Sequence, residues 1–334
     1  MSKGISLLKK ISTYLFIFVL LFLFICFLFH QMKLKKEEQL LEPPGKMVEV
    51  NQHKMHVYIE GKGEQTLVFM AGLGNVAPTY EFKSLYRYFT ADYKVAVVDR
   101  PGYGYSEAAN DTRRLDTILE ETRDILKLSG LKGPYVLFPH SLSGLEAIYW
   151  AQKYPNEIKA IVGLDIGLPS DYIKYGPSKA ELFLLKTQYY LAKGGLHRLT
   201  PSITYNKKIT QDSALTKVEK DKYMALSYKQ ALNKNVLQEF QNVQTNAKKS
   251  IALPLPVDTP ILLFSAHPSV TEEKEKSLNI KKKNERYRQF VSHFKTSKVI
   301  NVRGKHSIYL YAPEKISKES KQFLQTIESK QKKG

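Results

Sequence analysis

Residues 135–145 read YVLFPHSLSGL. Tyr135 to Pro139 is aromatic, β-branched and apolar, the make-up of a buried strand. His140-Ser141-Leu142-Ser143-Gly144 must then turn the chain, because a helix-like pattern follows. A strand that turns sharply into a helix lifts the side chain at the turn clear of both elements, where a serine hydroxyl can act as a nucleophile. So tight a turn forces unusual backbone angles on Ser141, and the residues two positions away must be small. Ser143 meets that demand, and Gly144 follows. Pro139 stands on the other flank, where glycine is usual. It lacks an N–H, a loss that the last position of a strand can bear. The competing reading is a buried strand that simply ends in a serine-rich turn.

The 334 residues can hold one large α/β domain with an insertion, or two small domains. The hydrophobic share of 43% is that of an ordinary globular protein. The formal net charge of +19 is not ordinary, and would suit nucleic acid, an anionic membrane or a wall polymer. The lysines are scattered, however. No basic stripe interleaved with stacking aromatics makes a nucleic-acid module, so nucleic acid is not an expected partner. Cys26 is the single cysteine, which excludes a disulfide or a cysteine zinc site within one chain.

Between Ile11 and Met32 there is no Lys, Arg, Asp or Glu, and Tyr14 to Phe29 is almost wholly Leu, Ile, Phe and Val. As a helix this run can cross a hydrocarbon core of about 30 Å. A cleaved signal peptide is the rival. The run is long for that, no small-x-small site follows Phe29, and Ile25 before Cys26 does not suit lipoprotein processing. The run therefore reads as an uncleaved, single-pass anchor at residues 11–32, after a basic stub at 1–10. Lys3, Lys9 and Lys10 precede it and Lys33, Lys35 and Lys36 follow it, so the positive-inside rule is close to a tie. A short basic stub before a long domain resembles a signal anchor, which puts the domain outside the cytoplasm. Residues 33–46, charged and ending in Pro43-Pro44-Gly45, read as a stalk.

Beyond the stalk, Val48 to Ile59 alternates around Asn51-Gln52 and predicts a hairpin. Strands are expected at Thr66 to Met70, Lys94 to Val98, Ile158 to Leu164, Thr259 to Ser265 and Lys298 to Val302. Helices are expected at Pro78 to Phe89, Leu115 to Leu128, after the serine turn to about Lys153, and at Pro313 to Glu328. Strands alternating with helices imply an α/β fold, a mostly parallel sheet with helices on both faces. Residues 168–256 break the rhythm with a helical pattern rich in aromatics, including Phe183, Tyr189, Tyr190 and Tyr228. Lying between two core strands, they read as a helical cap inserted into a core of residues 47–167 and 257–330.

Together these features resemble the α/β-hydrolase fold family over about residues 48–328, most weakly in the cap. Three signatures carry the resemblance. Phe69-Met70-Ala71-Gly72-Leu73-Gly74 looks like the family's loop after the third strand, where histidine is commoner than Ala71. Asp99-Arg100-Pro101-Gly102-Tyr103-Gly104-Tyr105-Ser106 is similar to its Asp-x-x-Gly-x-Gly-x-Ser turn. His140-Ser141-Leu142-Ser143-Gly144 matches the nucleophile elbow apart from the flanks. The resemblance implies a serine hydrolase, closest in look to membrane-anchored members found in bacteria. Relatives with an aspartate nucleophile, such as dehalogenases and epoxide hydrolases, fit less well because the elbow residue is Ser141.

A serine hydroxyl needs an adjacent base. His306, in Gly304-Lys305-His306 after the strand Lys298 to Val302, stands where the family carries its histidine. His53 and His56 belong to the first hairpin, His197 to the cap, and His293 precedes the last strand. His267 could line the pocket, and His140 is expected to point away from the serine's face. The base in turn needs a carboxylate to hold its tautomer. The loop after Ser265, where most members place it, has none before Glu272 and Glu273. Asp165, in Val162-Gly163-Leu164-Asp165, resembles the Gly-Leu-Asp turn of pancreatic-type lipases, where that residue is the triad acid. Asp165 is preferred, with Glu272, Glu273 and, behind them, Asp171 open. Many members keep a non-catalytic aspartate at this strand end.

The oxyanion hole would draw on the N–H groups of Leu73 and Leu142. Asp99 and Arg100 would brace the neighbouring turn. No metal or cofactor is expected, since there is no His-Glu-x-x-His and no cysteine pair. Ala71-Gly72-Leu73-Gly74-Asn75 also lacks the third glycine and the lysine of a phosphate cradle. The expected function is hydrolysis of a carboxylic ester, or a related acyl bond, in a small-molecule or lipid-like substrate. A peptidase or a cofactor-free haloperoxidase-like activity stays open, as does a non-catalytic receptor or scaffold of the same fold. Oligomeric state is left open.

Overall fold

Strands that are apolar on both faces need a sheet covered on both sides. In Thr66–Met70 (β3), Leu67 and Phe69 enter one core and Val68 and Met70 the other, because successive side chains of a strand point opposite ways. The same division splits Lys94–Asp99 (β4) into Val95 and Val97 against Ala96 and Val98. The structure, a computed structural model, describes residues 2–267 and 273–331, with side chains for residues 5–267 and 281–330.

Among the described residues the sheet has eight strands in the order β1-β2-β4-β3-β5-β6-β7-β8. The other strands are Lys46–Val50 (β1), His53–Glu60 (β2), Tyr135–Pro139 (β5), Ile158–Leu164 (β6), Ile261–His267 (β7) and Ser297–Arg303 (β8). β1, β2 and β4 are antiparallel neighbours, and from β4 to β8 every pairing is parallel. Asn51 and Gln52 join β1 to β2 with φ of 49° and 65°, the left-handed pair that a two-residue hairpin turn requires.

One core lies between the sheet and the closing helix Pro313–Gln331, which contributes Ile316, Leu324 and Ile327. The other is filled by the helix Leu115–Leu128, the elbow helix Ser143–Lys153 and the helix Glu273–Val291. The sequence reading passes over the last of these. Its inward side chains, Asn284, Tyr287 and Val291, do follow a helical spacing, but lysines and arginines crowd round them and one of the three is polar. Residues 78–89 form two short helices, Pro78–Glu81 and Lys83–Tyr86, instead of one.

The N-terminal helix runs unbroken from Ser2 to Glu38, longer at both ends than the apolar run within it. It is long and apolar enough to cross a membrane, and its window of highest hydropathy is almost wholly exposed. Between β6 and β7 the described elements are all helical, the long ones being Lys179–Lys193, Lys217–Lys229 and Lys234–Ile251.

Gly144 lets the elbow helix press on the turn after β6. A Cβ there would sit 2.5 Å from Ile166 Cβ and 3.0 Å from the Gly167 carbonyl oxygen. At Gly194 a Cβ would meet nothing closer than 3.4 Å. Gly144→Ala should therefore cost about 1–3 kcal/mol by overpacking, and Gly194→Ala next to nothing, in urea unfolding of the detergent-solubilised chain followed by circular dichroism.

Candidate active site

β5 ends at Pro139 in mid-sheet, with β3 on one side and β6 on the other. The His140 N–H donates to the Met70 carbonyl of β3 at 3.0 Å, so the preceding Pro139 nitrogen faces β6. There the pairing passes from Leu137–Ile161 to His140–Leu164, and the missing N–H falls in the gap. The chain then turns at Ser141 with φ 55°, a left-handed angle that few side chains adopt. The Ser141 carbonyl accepts from Gly144 at 3.1 Å and Gly167 at 2.9 Å. Ser143, where the usual frame has glycine, is buried. Its hydroxyl donates to the Met70 carbonyl at 2.8 Å and accepts the His140 N–H at 2.9 Å, tying the turn to β3.

Asp165 occupies the matching point of β6. His140 pairs with Leu164, so Ser141 and Asp165 leave the sheet side by side, and Asp165 too has a left-handed φ, 52°. Its Oδ1 accepts the Ala266 N–H at 2.7 Å and meets the Lys283 ammonium, and its Oδ2 lies 2.7 Å from His306 Nδ1. An ionised carboxylate can only accept, so Nδ1 carries a proton, which in the neutral ring puts the lone pair on Nε2. Burial pushes the Asp165 carboxyl up. The His306 hydrogen bond, the Lys283 charge and the Ala266 N–H outweigh it and hold the group below the usual carboxylate range. His306 itself is half-exposed, at the open side of the arrangement.

His140 corrects an expectation. Its ring does not turn away but packs against that of His306, centroids 4.7 Å apart. The reason is the loop after β3. Asn75 Oδ1 accepts from His140 Nδ1 at 3.0 Å and from the Gly72 N–H at 2.7 Å, and Asn75 Nδ2 donates to the Tyr309 hydroxyl and to Glu81. Burial, followed by the neighbouring His306, pushes the His140 pKa down to about 3, so its ring stays neutral in any ordinary buffer. Gly72 allows the close approach: a Cβ there would stand 2.8 Å from Ser141 Cβ and 2.9 Å from His140 Nδ1. The surrounding amides of Gly72, Asn75, His140, Ser141, Ser143 and Gly144 all have acceptors. Among the described residues the N–H groups of Leu73 and Leu142 have none.

Arg100 ties these parts from beneath. Buried, it donates to the Ala71 carbonyl at 2.6 Å, pairs with Glu239 at 2.9 Å and lies 3.5 Å from Glu146 of the elbow helix. Asp99 accepts from His56 at 2.7 Å and from the Tyr105 N–H at 3.0 Å. Both therefore brace, as expected. Asp171 pairs with Arg286 at 3.0 Å. Glu272 lies outside the described residues, as does the side chain of Glu273, which opens the helix bearing Lys283. His267 ends β7, and its carbonyl accepts the Gly304 N–H at 2.7 Å. His53 approaches Glu121 at 3.5 Å, and His197 contacts the N-terminal helix. Lys283 and Tyr287 are the residues that sequence reasoning missed. One helical turn apart, they reach Asp165 and the Ile166 carbonyl.

A family model described as alpha/beta hydrolase fold matches residues 65–312. An uncharacterized protein of Bacillus subtilis, YbdG, is 43% identical over 322 residues, 96% of this chain and 98% of that one. A 2-hydroxy-6-oxononadienedioate/2-hydroxy-6-oxononatrienedioate hydrolase of Paraburkholderia phymatum is 28% identical over 125 residues, 36% of this chain and 43% of that one. Among solved structures, epoxide hydrolase VrEH1 of Vigna radiata matches with a TM-score of 0.62 at 20% identity, covering 84% of this chain and 97% of that one. Cfl2 of Burkholderia cenocepacia gives 0.61 at 15% identity, covering 84% and 95%. At such identities the solved structures bear on the fold alone.

The environment of Asp165 has a consequence for stability. A carboxyl whose folded pKa lies below its unfolded value adds stability that is fully present above the unfolded value, near 4, and is lost as pH falls through the folded one. Asp165→Asn should therefore flatten part of the stability loss below about pH 4, seen as a smaller shift of the urea midpoint between acid and neutral buffer.

Proposed function

Because the chain belongs to the α/β-hydrolase fold family, we propose that it is a serine hydrolase that cleaves a carboxylic ester or related acyl bond through an acyl-enzyme. The observation that carries this reading is the 2.7 Å contact of His306 Nδ1 with Asp165 Oδ2 beside the turn that bears Ser141. In this reading Ser141 Oγ attacks the acyl carbon and passes its proton to His306 Nε2. Asp165 holds the ring in that tautomer and stabilises the imidazolium. The carbonyl oxygen, negative in the tetrahedral intermediate, takes the Leu73 and Leu142 N–H groups. His306 returns the proton to the leaving alcohol, and the acyl group stays on Ser141. Water, deprotonated by His306, then releases the acid and restores the serine. A serine at the turn favours acyl transfer over the epoxide and haloalkane chemistry for which several structural neighbours are named.

The same proposal places the enzyme at a membrane, on the helix Ser2–Glu38 as a retained single-pass anchor, with the catalytic domain outside the cytoplasm. Support for retention comes from the far end of that helix. Glu37 accepts two hydrogen bonds from Arg198, at 2.8 and 2.6 Å, so the helix is built into the folded domain. The helices of residues 168–256, lying between β6 and β7 at the strand ends that carry the site, serve as the cap.

The detergent-solubilised chain should react with a fluorophosphonate probe, and Ser141→Ala should abolish that labelling while Ser143→Gly keeps it. Label retained in folded Ser141→Ala, or none in the folded wild type, would sink the mechanism. In hydrolysis of short p-nitrophenyl esters, His306→Ala and Asp165→Asn should each lower kcat by about a thousandfold or more.

A further inference from the structure

We infer that the outer face of the segment Lys179–Ile203 is a second membrane-contacting surface, seated in the lipid leaflet beside the anchor helix. The inference rests on the reading of Ser2–Glu38 as a membrane anchor, and its observations are independent of the catalytic assignment.

The helix Lys179–Lys193 has 15 residues, of which only Ala192 is buried. A surface helix in water normally hides an apolar stripe against the protein. Here the stripe faces out. Phe183, Leu184, Tyr190 and Leu191 are exposed, and as two adjacent pairs seven residues, or two turns, apart they share one side of the helix. The chain that follows continues the patch with Leu199 and with Ile203, which is 82% exposed. Single exposed apolar residues are ordinary, but six within residues 183–203 mark a contact surface. Beside the stripe run Lys179, Lys186 and Lys193, all exposed and seven residues apart, on one line along the helix. Apolar residues flanked by a lysine row are the pattern of a helix lying in a bilayer interface, where lysine stems lie along the acyl boundary and the ammonium groups reach lipid phosphates.

The anchor helix fixes what this surface meets. The turn Gly195–Arg198 is packed against the last turns of its apolar run. Cys26 and His30 are buried there, and a Cβ on Gly195 would stand 2.5 Å from His30 Cβ and 2.8 Å from the Cys26 carbonyl oxygen. Arg198 Nε donates to His30 Nδ1 at 2.8 Å while the rest of its guanidinium holds Glu37. At 1.5 Å per residue, Cys26 lies about 9 Å inside the end of the apolar run at Met32. The turn in the middle of the exposed set, between Leu191 and Leu199, is therefore held level with the outer part of the hydrocarbon layer. Leu199 is one residue from Arg198. The patch joins the anchor through the Gly195–Arg198 turn, and lipid is the occupant that matches both its apolar stripe and its lysine row.

The test uses the full chain with Cys26→Ser, reconstituted in nanodiscs of equal parts phosphatidylcholine and phosphatidylglycerol. Single cysteines at Phe183→Cys, Ile203→Cys, Phe18→Cys and Thr326→Cys carry the environment-sensitive dye NBD. Phe18 reports the anchor, and Thr326, exposed on the closing helix, reports water. The dye at 183 and 203 should emit to the blue of the dye at 326 and be quenched several-fold more by lipid bearing a headgroup-proximal nitroxide. Quenching at 18 by a deep nitroxide lipid with 183 and 203 behaving like 326 overturns the inference and leaves the anchor standing. No quenching at 18 overturns both. A blue shift at 183 and 203 without lipid quenching would mean that protein, such as a second copy of the chain, covers the face, and also overturns it.

Discussion

The parallel pairing of β5 with β6 is the constraint on which the site depends. It places His140 opposite Leu164, so the next residue of each strand leaves the sheet at the same level. Both of those residues, Ser141 and Asp165, have left-handed backbone angles. Such angles cost roughly 1–2 kcal/mol for a side-chain-bearing residue and persist only where the surroundings over-determine them. Here they do. The Ser141 carbonyl is held by two amides, the Asp165 N–H donates to Phe264, and the Asp165 carboxylate takes the Ala266 N–H. A slip of one residue in this pairing would separate the hydroxyl from the carboxylate that orients the histidine.

Around that pair the parts of the site are tied together by buried polar contacts. Arg100 joins the loop after β3, the elbow helix and the helix Lys234–Ile251. Taking away one partner of such a buried charge set typically costs about 3–5 kcal/mol, because the others are left uncompensated. Asn75 does a similar task with uncharged groups, fixing at once the loop amides, His140 and Tyr309. On the far side Lys283 and Tyr287 hold the turn of Asp165 and Ile166. The carboxylate therefore keeps its charge although it is buried, which is the state in which it can hold the histidine.

The N-terminal helix extends the same logic beyond the core. Its outer surface is apolar and unpacked along most of its length, yet its last turns are fastened to the helical segment between β6 and β7 by Arg198. In the proposed anchoring, a tether that is also a packing partner would set the orientation of the domain, where a flexible stalk would set only its distance. Orientation matters for a site whose open side is set by the half-exposed His306.

Much of this was legible in the sequence because it follows from local rules. Apolar runs of strand length, glycine turns and a serine at a strand-to-helix junction are short-range signals. They led to the α/β sheet, to the hairpin at Asn51-Gln52 and to an elbow at Ser141. A run of 22 residues without a charge, 11 to 32, is equally plain. Contacts between distant parts were not legible. Residue 140 is adjacent to the elbow in the chain, but only Asn75, 65 positions away, draws its ring beneath His306. Lys283 lies in a lysine-rich helix whose sequence looks like a solvated surface, and only the fold brings it to Asp165. The vacancy after β7 read as a missing carboxylate. In three dimensions Ala266, still within β7, supplies its N–H to a carboxylate at the end of the neighbouring strand. Sequence by itself determined the elements and the kinds of group available, since these depend on residues a few positions apart. Which groups meet was decided by the register of the parallel strands and by the helices packed across them, and that information lies in contacts between positions 24 to 141 apart, from His140 with Leu164 to Asp165 with His306.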